Sequence, residues 1–265
     1  MKGSPRIGQG NPVILQGRVL FALIMREMST RYGRRAGGYV WAVLEPAATI
    51  ALLSTIFQFV ARQPALGQSF PIFFATGYMA FHLYLDISRA VSNAVNANMA
   101  LLTFPRVTVI DTMLARFILQ LLTSAFVATL IIGTLLQIFD EPVILDFGRI
   151  ATAMGLAAFT GVSMGIFNCI TFAYSPTWQA IFTVINRPLF IVSGIIFIYE
   201  NMPRFVQDII WWNPLLHVTA LMRAGFYPTY EASFASPVYV LTFAAIPFLI
   251  GVLMMRALRG VLLER

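Results

Sequence analysis

The chain has 265 residues, 58% hydrophobic and 11% charged, with a mean hydropathy of +0.78. Soluble domains carry about 25% charged residues, so the composition excludes an ordinary soluble fold and points to an integral membrane protein. The formal net charge is +7, but the basic residues are almost all Arg and flank apolar runs, which is a topology pattern and argues against nucleic-acid binding.

Residues 1–15 are polar and rich in Gly and Pro, without the apolar centre of a signal peptide, and read as a flexible cytoplasmic tail. From residue 16 to 32 the pattern becomes amphipathic. Arg18, Ala22, Arg26 and Ser29 or Thr30 fall on one helical face, and Leu20, Phe21, Ile24 and Met28 on the other. Such a helix suits a membrane surface. Arg31, Arg34 and Arg35 follow, and an Arg cluster at this border holds it on the inside.

The first expected span covers residues 40–60, with Glu45-Pro46 near its start as a buried acid. About 20 residues at 1.5 Å rise cross a ~30 Å hydrocarbon core. The second span is expected over 70–95. It contains Asp86 and Arg89 at i, i+3, spaced to neutralise each other. Phe70, Phe74, Tyr78 and Phe81 form an aromatic stripe along it, read either as helix packing or as a surface for sugar rings. An inner connector follows, then a third span over 110–138 containing Arg116.

Asp140, Glu141 and Asp146 make the next loop acidic, which suits the outside. The fourth span, 150–173, holds Gly161 and Gly165, a small-xxx-small pair and a candidate dimer seam. Ser175-Pro176 marks a tight inner turn. The fifth span is expected over 180–198, kinked at Pro188, with Arg187 at a depth that would let it pair with Glu45.

Residues 199–230 neither cross a bilayer simply nor resemble an ordinary loop. Pro203, Pro214 and Pro228 break helix, yet apolar residues between them recur at helical spacing. Two short amphipathic helices joined at Asn213-Pro214 fit this pattern. They form either a re-entrant hairpin over a polar path or an interfacial segment anchored by Trp211 and Trp212. The last span is expected over 237–255, followed by Arg256, Arg259 and Arg265. The fold class is thus an all-α integral membrane protein with about six spans and both ends inside.

The sequence gives no support to catalysis. Lys2 is the only lysine, so a phosphate-binding loop ending in Gly-Lys-Ser/Thr is impossible. His82 and His217 lie in different segments, there is no nucleophile elbow, and the single cysteine, Cys169, sits in an apolar run. The inner connector Asn98-Met99-Ala100-Leu101-Leu102-Thr103-Phe104-Pro105-Arg106 is apolar for an aqueous loop and calls for a partner protein or a membrane surface.

Three motifs in order resemble one family. Arg31-Tyr32, Gly38-Tyr39, Trp41 and Leu44-Glu45-Pro46 come first. The connector 98–106 is second. Asn213-Pro214-Leu215-Leu216-His217 with Met222-Arg223-Ala224-Gly225-Phe226 is third. Together they resemble ABC-2-type permeases that export polysaccharides, most of all the capsular ones, with O-antigen and teichoic-acid exporters as the alternative. Arg34-Arg35-Ala36-Gly37 departs from the Ser/Leu-containing stretch expected there.

The resemblance implies a homodimer forming a twelve-span channel on two separate ATP-binding-cassette subunits, which would bind the ATP and Mg; this chain would hold no cofactor or metal. It implies a transmembrane domain over 16–265, an interface helix over 16–35 (Arg18, Arg26, Arg31), a coupling segment over 97–107 and re-entrant outer helices over 200–230. ATPase coupling would fall to Asn98, Leu101, Leu102, Phe104, Pro105 and Arg106. The substrate path or gate would include Glu45, Tyr78, Arg187, Trp211, Trp212, Asn213, His217 and Arg223. Arg31, Arg34 and Arg35 would attract the anionic anchor of a lipid-linked polysaccharide or ordinary membrane lipids. Periplasmic and outer-membrane export proteins would continue the path. Three rival readings are a proton-coupled carrier using Asp86 or Glu45, a membrane sugar or lipid transferase, and an assembly scaffold.

Overall fold

The computed structural model describes residues 12–32, 38–102, 107–139, 141 and 144–257. Within them every regular element is helical. The order is α1 (Pro12–Tyr32), α2 (Gly38–Val60), α3 (Phe70–Ser92), α4 (Ala94–Leu102), α5 (Val109–Ile138), α6 (Phe147–Tyr174), α7 (Pro176–Val192), a single 3-10 turn (Tyr199–Asn201), α8 (Arg204–Ile210), α9 (Pro214–Ala224) and α10 (Pro237–Ala257). Four of these, α2, α5, α6 and α10, are long and apolar enough to cross a membrane. Helix α3 is long enough but carries His82, Asp86 and Arg89 in its second half, and α7 has 17 residues.

The helix starts follow from local chemistry. Thr108 and Asp111 form a reciprocal capping box at α5, and Asp146 caps α6 through the Arg149 amide. Ser175 and Asn213 each cap a helix whose first residue is proline, so Ser-Pro and Asn-Pro are helix starts for α7 and α9. Ser69 makes no side-chain cap for α3. Glu141 instead reaches the start of that helix, its carboxylate accepting from the Gln68 amide and the Ser69 hydroxyl, each at 2.8 Å. A negative charge there suits the helix dipole.

Helix α3 is the hub, packed against α6, α5, α9 and α2. Almost every residue from Ile72 to Tyr84 is buried, including the aromatic stripe, which resolves as packing: Tyr78 and Phe81 both meet Phe190 edge-on. The α3–α6 seam depends on missing side chains. A Cβ at Gly161 would stand 2.8 Å from the Tyr84 carbonyl oxygen, and one at Gly165 would stand 2.6 Å from the Val91 Cβ. These glycines therefore let two helices of one chain approach, which corrects their assignment to a dimer seam. Cys169 is buried on the same helix.

Four boundaries differ from expectation, the first being the start of α7, at Pro176 inside the expected inner turn and four residues before 180. Helix α1 starts about a turn earlier, at Pro12. The long second span ends at Ser92, where Asn93 interrupts the path and α4 begins at Ala94. Helix α7 stops at Val192 instead of running to 198, because the next carbonyls turn to a buried arginine described below. Helices α3, α6 and α10 run lengthwise, so the bundle has two ends. One holds α1, α4 and the start of α5; the other holds α8, α9 and the start of α6.

Candidate functional site

At the α1 end, four elements meet around one carboxylate–guanidinium pair. Glu27 on α1 is buried. It accepts from Arg116 of α5 through Nε at 3.0 Å and Nη2 at 3.1 Å. It also accepts from the Asn98 amide of α4 at 2.8 Å. Arg116 Nη1 donates to the carbonyls of Ala90 and Asn93 at the end of α3, where a cation complements the helix dipole. Arg26 returns from α1 to the Asn98 side-chain oxygen at 2.6 Å. Asn98 is thereby held between two residues of α1 and is fully buried. Gln16 adds a second tie from α1 to Asp111 at the start of α5.

Of the other coupling residues, Leu101 is half-buried near the end of α4. The Leu102 side chain and Phe104, Pro105 and Arg106 lie outside the described residues, as do Arg34, Arg35 and the Arg31 side chain. Arg18 is exposed on α1.

One helical turn further into the bundle, between α2, α3 and α5, lies a polar cleft of about 230 Å³. Glu45, His82, Asp86, Gln120 and Ser124 line it. The Asp86 carboxylate sits 3.2 Å from His82 Nδ1 and accepts from Gln120 Nε2 at 2.9 Å. Two expectations are corrected here. Asp86 is engaged by His82 and Gln120, while Arg89 is exposed nearer the helix end. Glu45 is exposed and not buried, Arg187 is exposed too, and no ion pair joins them among the described residues. Their helices, α2 and α7, are not among the pairs that pack extensively in the described residues, so equal depth did not mean close packing.

At the opposite end, residues 199–236 form a docked unit, and the two short helices meet at Asn213-Pro214 as expected. Its anchor is Arg223, 2% exposed. Nη1 donates to the carbonyls of Gly194 and Phe197, and Nη2 donates to that of Ile195. The guanidinium also lies 4.0 Å over the Phe73 ring. Gly77 leaves room for it, since a Cβ there would stand 2.9 Å from Nη2. Gly194, at φ +74°, lets the chain after α7 turn its carbonyls inward.

His217 is fully buried between Trp211, Phe234 and Tyr239. The Ser236 amide donates to Nδ1, so Nε2 carries the proton given to the Trp211 carbonyl. Asn213 donates to Ser193, and Thr219 to the Ser193 carbonyl, closing α9 onto the end of α7. The Tyr239 hydroxyl ties α10 to the Trp212 carbonyl. Tyr230 donates to the Glu200 carboxylate at 3.1 Å, and burial, followed by that carboxylate, holds its phenol above the ordinary range. Trp212, Phe205 and Ile209 form the exposed apolar edge of the unit.

Sequence reasoning missed Glu27, Gln120 and Ser124. Glu27 had a legible signal, as the only acid in α1, one residue off its arginine face, with Arg116 stranded in an apolar run. Gln120 and Ser124, spaced i, i+4 in an apolar helix, had only their polarity.

Among known families, the ABC-2 type transporter family matches residues 18–227. The polysialic acid transport protein KpsM of Escherichia coli is 29% identical over 235 residues, covering 89% of this chain and 91% of that protein. The capsule polysaccharide export inner-membrane protein CtrC of Neisseria meningitidis serogroup B is 28% identical over 258 residues, 96% of each. BexB of Haemophilus influenzae, also named a capsule polysaccharide export inner-membrane protein, is 28% identical over 224 residues, 82% of this chain and 84% of its own length. With more than half its length matched from α1 through α9, this chain belongs to the ABC-2 type transporter family.

Proposed function

We propose that the chain is the inner-membrane permease subunit of an ATP-driven exporter of capsular polysaccharide. The observation that carries this reading is similarity to capsule and polysialic acid export proteins over most of both chains. The permease itself performs no catalysis and holds no cofactor. ATP and Mg belong to a separate ATPase subunit, a reading that fits a sequence with no phosphate-binding Gly-Lys-Ser/Thr loop.

In this reading residues 16–265 form the transmembrane domain, with α2, α3, α5, α6, α7 and α10 as six spans and both ends inside. Arg256, in the last turn of α10, and the arginines of α1 share one end, which supports that orientation. Helix α1 is the interface helix. Residues 97–107, starting on α4, are the coupling segment that the ATPase grips. The Glu27–Asn98–Arg116 cluster makes α4 continuous with α1 and α5, so a push on α4 moves the bundle as a body. Nucleotide-driven closure of the motor then biases a two-state rocking motion. At the far end, residues 200–230 form the re-entrant outer gate. Arg223, His217 and Asn213 are buried, so they hold the gate's shape, and buried Tyr78 packs the bundle, while Glu45, Arg187, Trp211 and Trp212 mark the path and its rim. Two copies form the channel, and the exposed apolar faces of α2 and α7 are available to a second copy. The cargo is a lipid-linked polysaccharide handed on to periplasmic and outer-membrane proteins.

The His82–Asp86 pair favours one rival, a proton-coupled carrier. Reconstituting the chain with its ATPase in vesicles separates the two. The proposal requires polysaccharide movement that depends on ATP and persists without a proton gradient.

A further inference from the structure

Between α1, the end of α3 and α5 the bundle leaves a second polar cleft, of about 550 Å³. Three guanidinium groups line it, from Arg26, Arg89 and Arg116, together with Glu27, Thr30 and Asn93. Glu27 is the only acid on these walls, and its carboxylate is taken up by Arg116 and Asn98. Arg26 gives a hydrogen bond to a neutral amide oxygen. Arg89 is exposed and has no ion pair among the described residues. Three positive charges against one negative leave an excess of two around a single opening. Among the described residues no further carboxylate pairs with these arginines.

The height of the cleft in the bilayer narrows the ligand. Arg89 lies one turn before the end of α3, at Ser92. Helix α1, which forms the opposite wall, exposes Ile14, Leu15, Phe21 and Met25. A helix presenting that face lies in the headgroup layer, so its neighbour Arg26 stands where lipid phosphates are. Guanidinium is planar, forked and weakly hydrated, the geometry that matches phosphate oxygens in pairs. Arg116 is fixed by Glu27 and the two α3 carbonyls, which makes it a rigid floor and leaves Arg26 and Arg89 to close on a ligand.

We propose that this cleft binds the phosphate group of an anionic membrane lipid, with Arg26 and Arg89 as its ligands above the Arg116 floor. The site uses residues other than Arg31, Arg34 and Arg35 and needs neither the ATPase nor polysaccharide to form.

The test uses the purified full-length chain and lipid retention by native mass spectrometry, with thermal unfolding as a check on folding. The probes are phosphatidylglycerol, phosphatidylcholine and inorganic pyrophosphate. The wild-type chain should retain phosphatidylglycerol over phosphatidylcholine. Arg89→Gln and Arg26→Gln should each weaken retention about fivefold, the equivalent of ~1 kcal/mol per arginine at the headgroup surface. Arg149→Gln, at the opposite end and paired with Asp146, should leave it unchanged. Arg89 is exposed, so its variant keeps the proposal testable if Arg26→Gln fails to fold. Displacement of the lipid by millimolar pyrophosphate would assign recognition to the phosphate alone; retention against it would assign the acyl chains a share. Equal retention by wild type and a folded Arg89→Gln, or equal retention of the two lipids, would overturn the proposal. Because binding is read without export, its failure leaves the exporter reading standing, and loss of export leaves the site standing.

Discussion

Arg116 of α5 grips Glu27 of α1 through two parallel hydrogen bonds of 3.0 and 3.1 Å, although 89 residues separate them in the chain. Removing one partner of this part-buried pair strands the other, at a cost below the ~3–5 kcal/mol of a fully buried one. Arg116→Leu should therefore lower the thermal stability of the purified chain markedly. Glu27→Gln should cost less, because the amide oxygen still accepts from Asn98. The double variant should be more stable than the sum of the single losses predicts. Strict additivity in unfolding experiments would mean that the two side chains do not interact.

The same cluster carries a functional expectation. If α4 receives the push of a motor, Asn98→Ala should leave ATPase binding intact while reducing polysaccharide exported per ATP hydrolysed several-fold. The measurement is the ratio of the two rates in vesicles. A fall in both rates in proportion would indicate a folding defect and not loss of coupling.

Arg223 and Gly77 form a matched pair. Gly77→Ala places a methyl group 2.9 Å from the guanidinium, and overpacking of this kind costs about 1–3 kcal/mol. Arg223→Lys keeps the charge but loses the fork that spans three carbonyls. Both should expose the segment from Val192 to Tyr199 to proteolysis while α1 to α6 remain protected.

The α3–α6 seam gives a comparison along one helix. Gly161→Ala and Gly165→Ala each drive a Cβ into α3, whereas a Cβ at Gly155 meets nothing within 4 Å. The first two should lower stability and membrane abundance, and Gly155→Ala should leave both unchanged. Dimer content, measured by cross-linking of the folded fraction, should be the same in all three.

Glu45 and Arg187 are exposed, and neither forms an ion pair among the described residues. Glu45→Gln and Arg187→Gln should leave stability within about 0.5 kcal/mol. If they lie on the path, export should fall several-fold at normal membrane levels. Unchanged export would remove them from it.

The helices were legible because long apolar runs are separated by recognisable caps and breakers. Thr108, Asp146, Ser175 and Asn213 each start a helix close to where the sequence placed one. Cys169 and the Asn213-Pro214 joint were equally plain. Partnerships between helices were not legible. Depth along a span suggested Glu45 with Arg187, but depth carries no information about which helices touch. Spacing suggested Asp86 with Arg89, yet His82 and Gln120 hold Asp86. Gly161 and Gly165 marked a close approach correctly, but the approaching helix was α3 of the same chain. The early end of α7 depends on Arg223, 29 residues beyond Gly194, a long-range effect that no local pattern shows.

The most direct measurement is polysaccharide transport by vesicles containing the chain with and without its ATPase, at zero proton gradient. The account predicts uptake that requires both the ATPase and hydrolysable ATP. Uptake by the chain alone under an imposed proton gradient, unaffected by ATP, would contradict it.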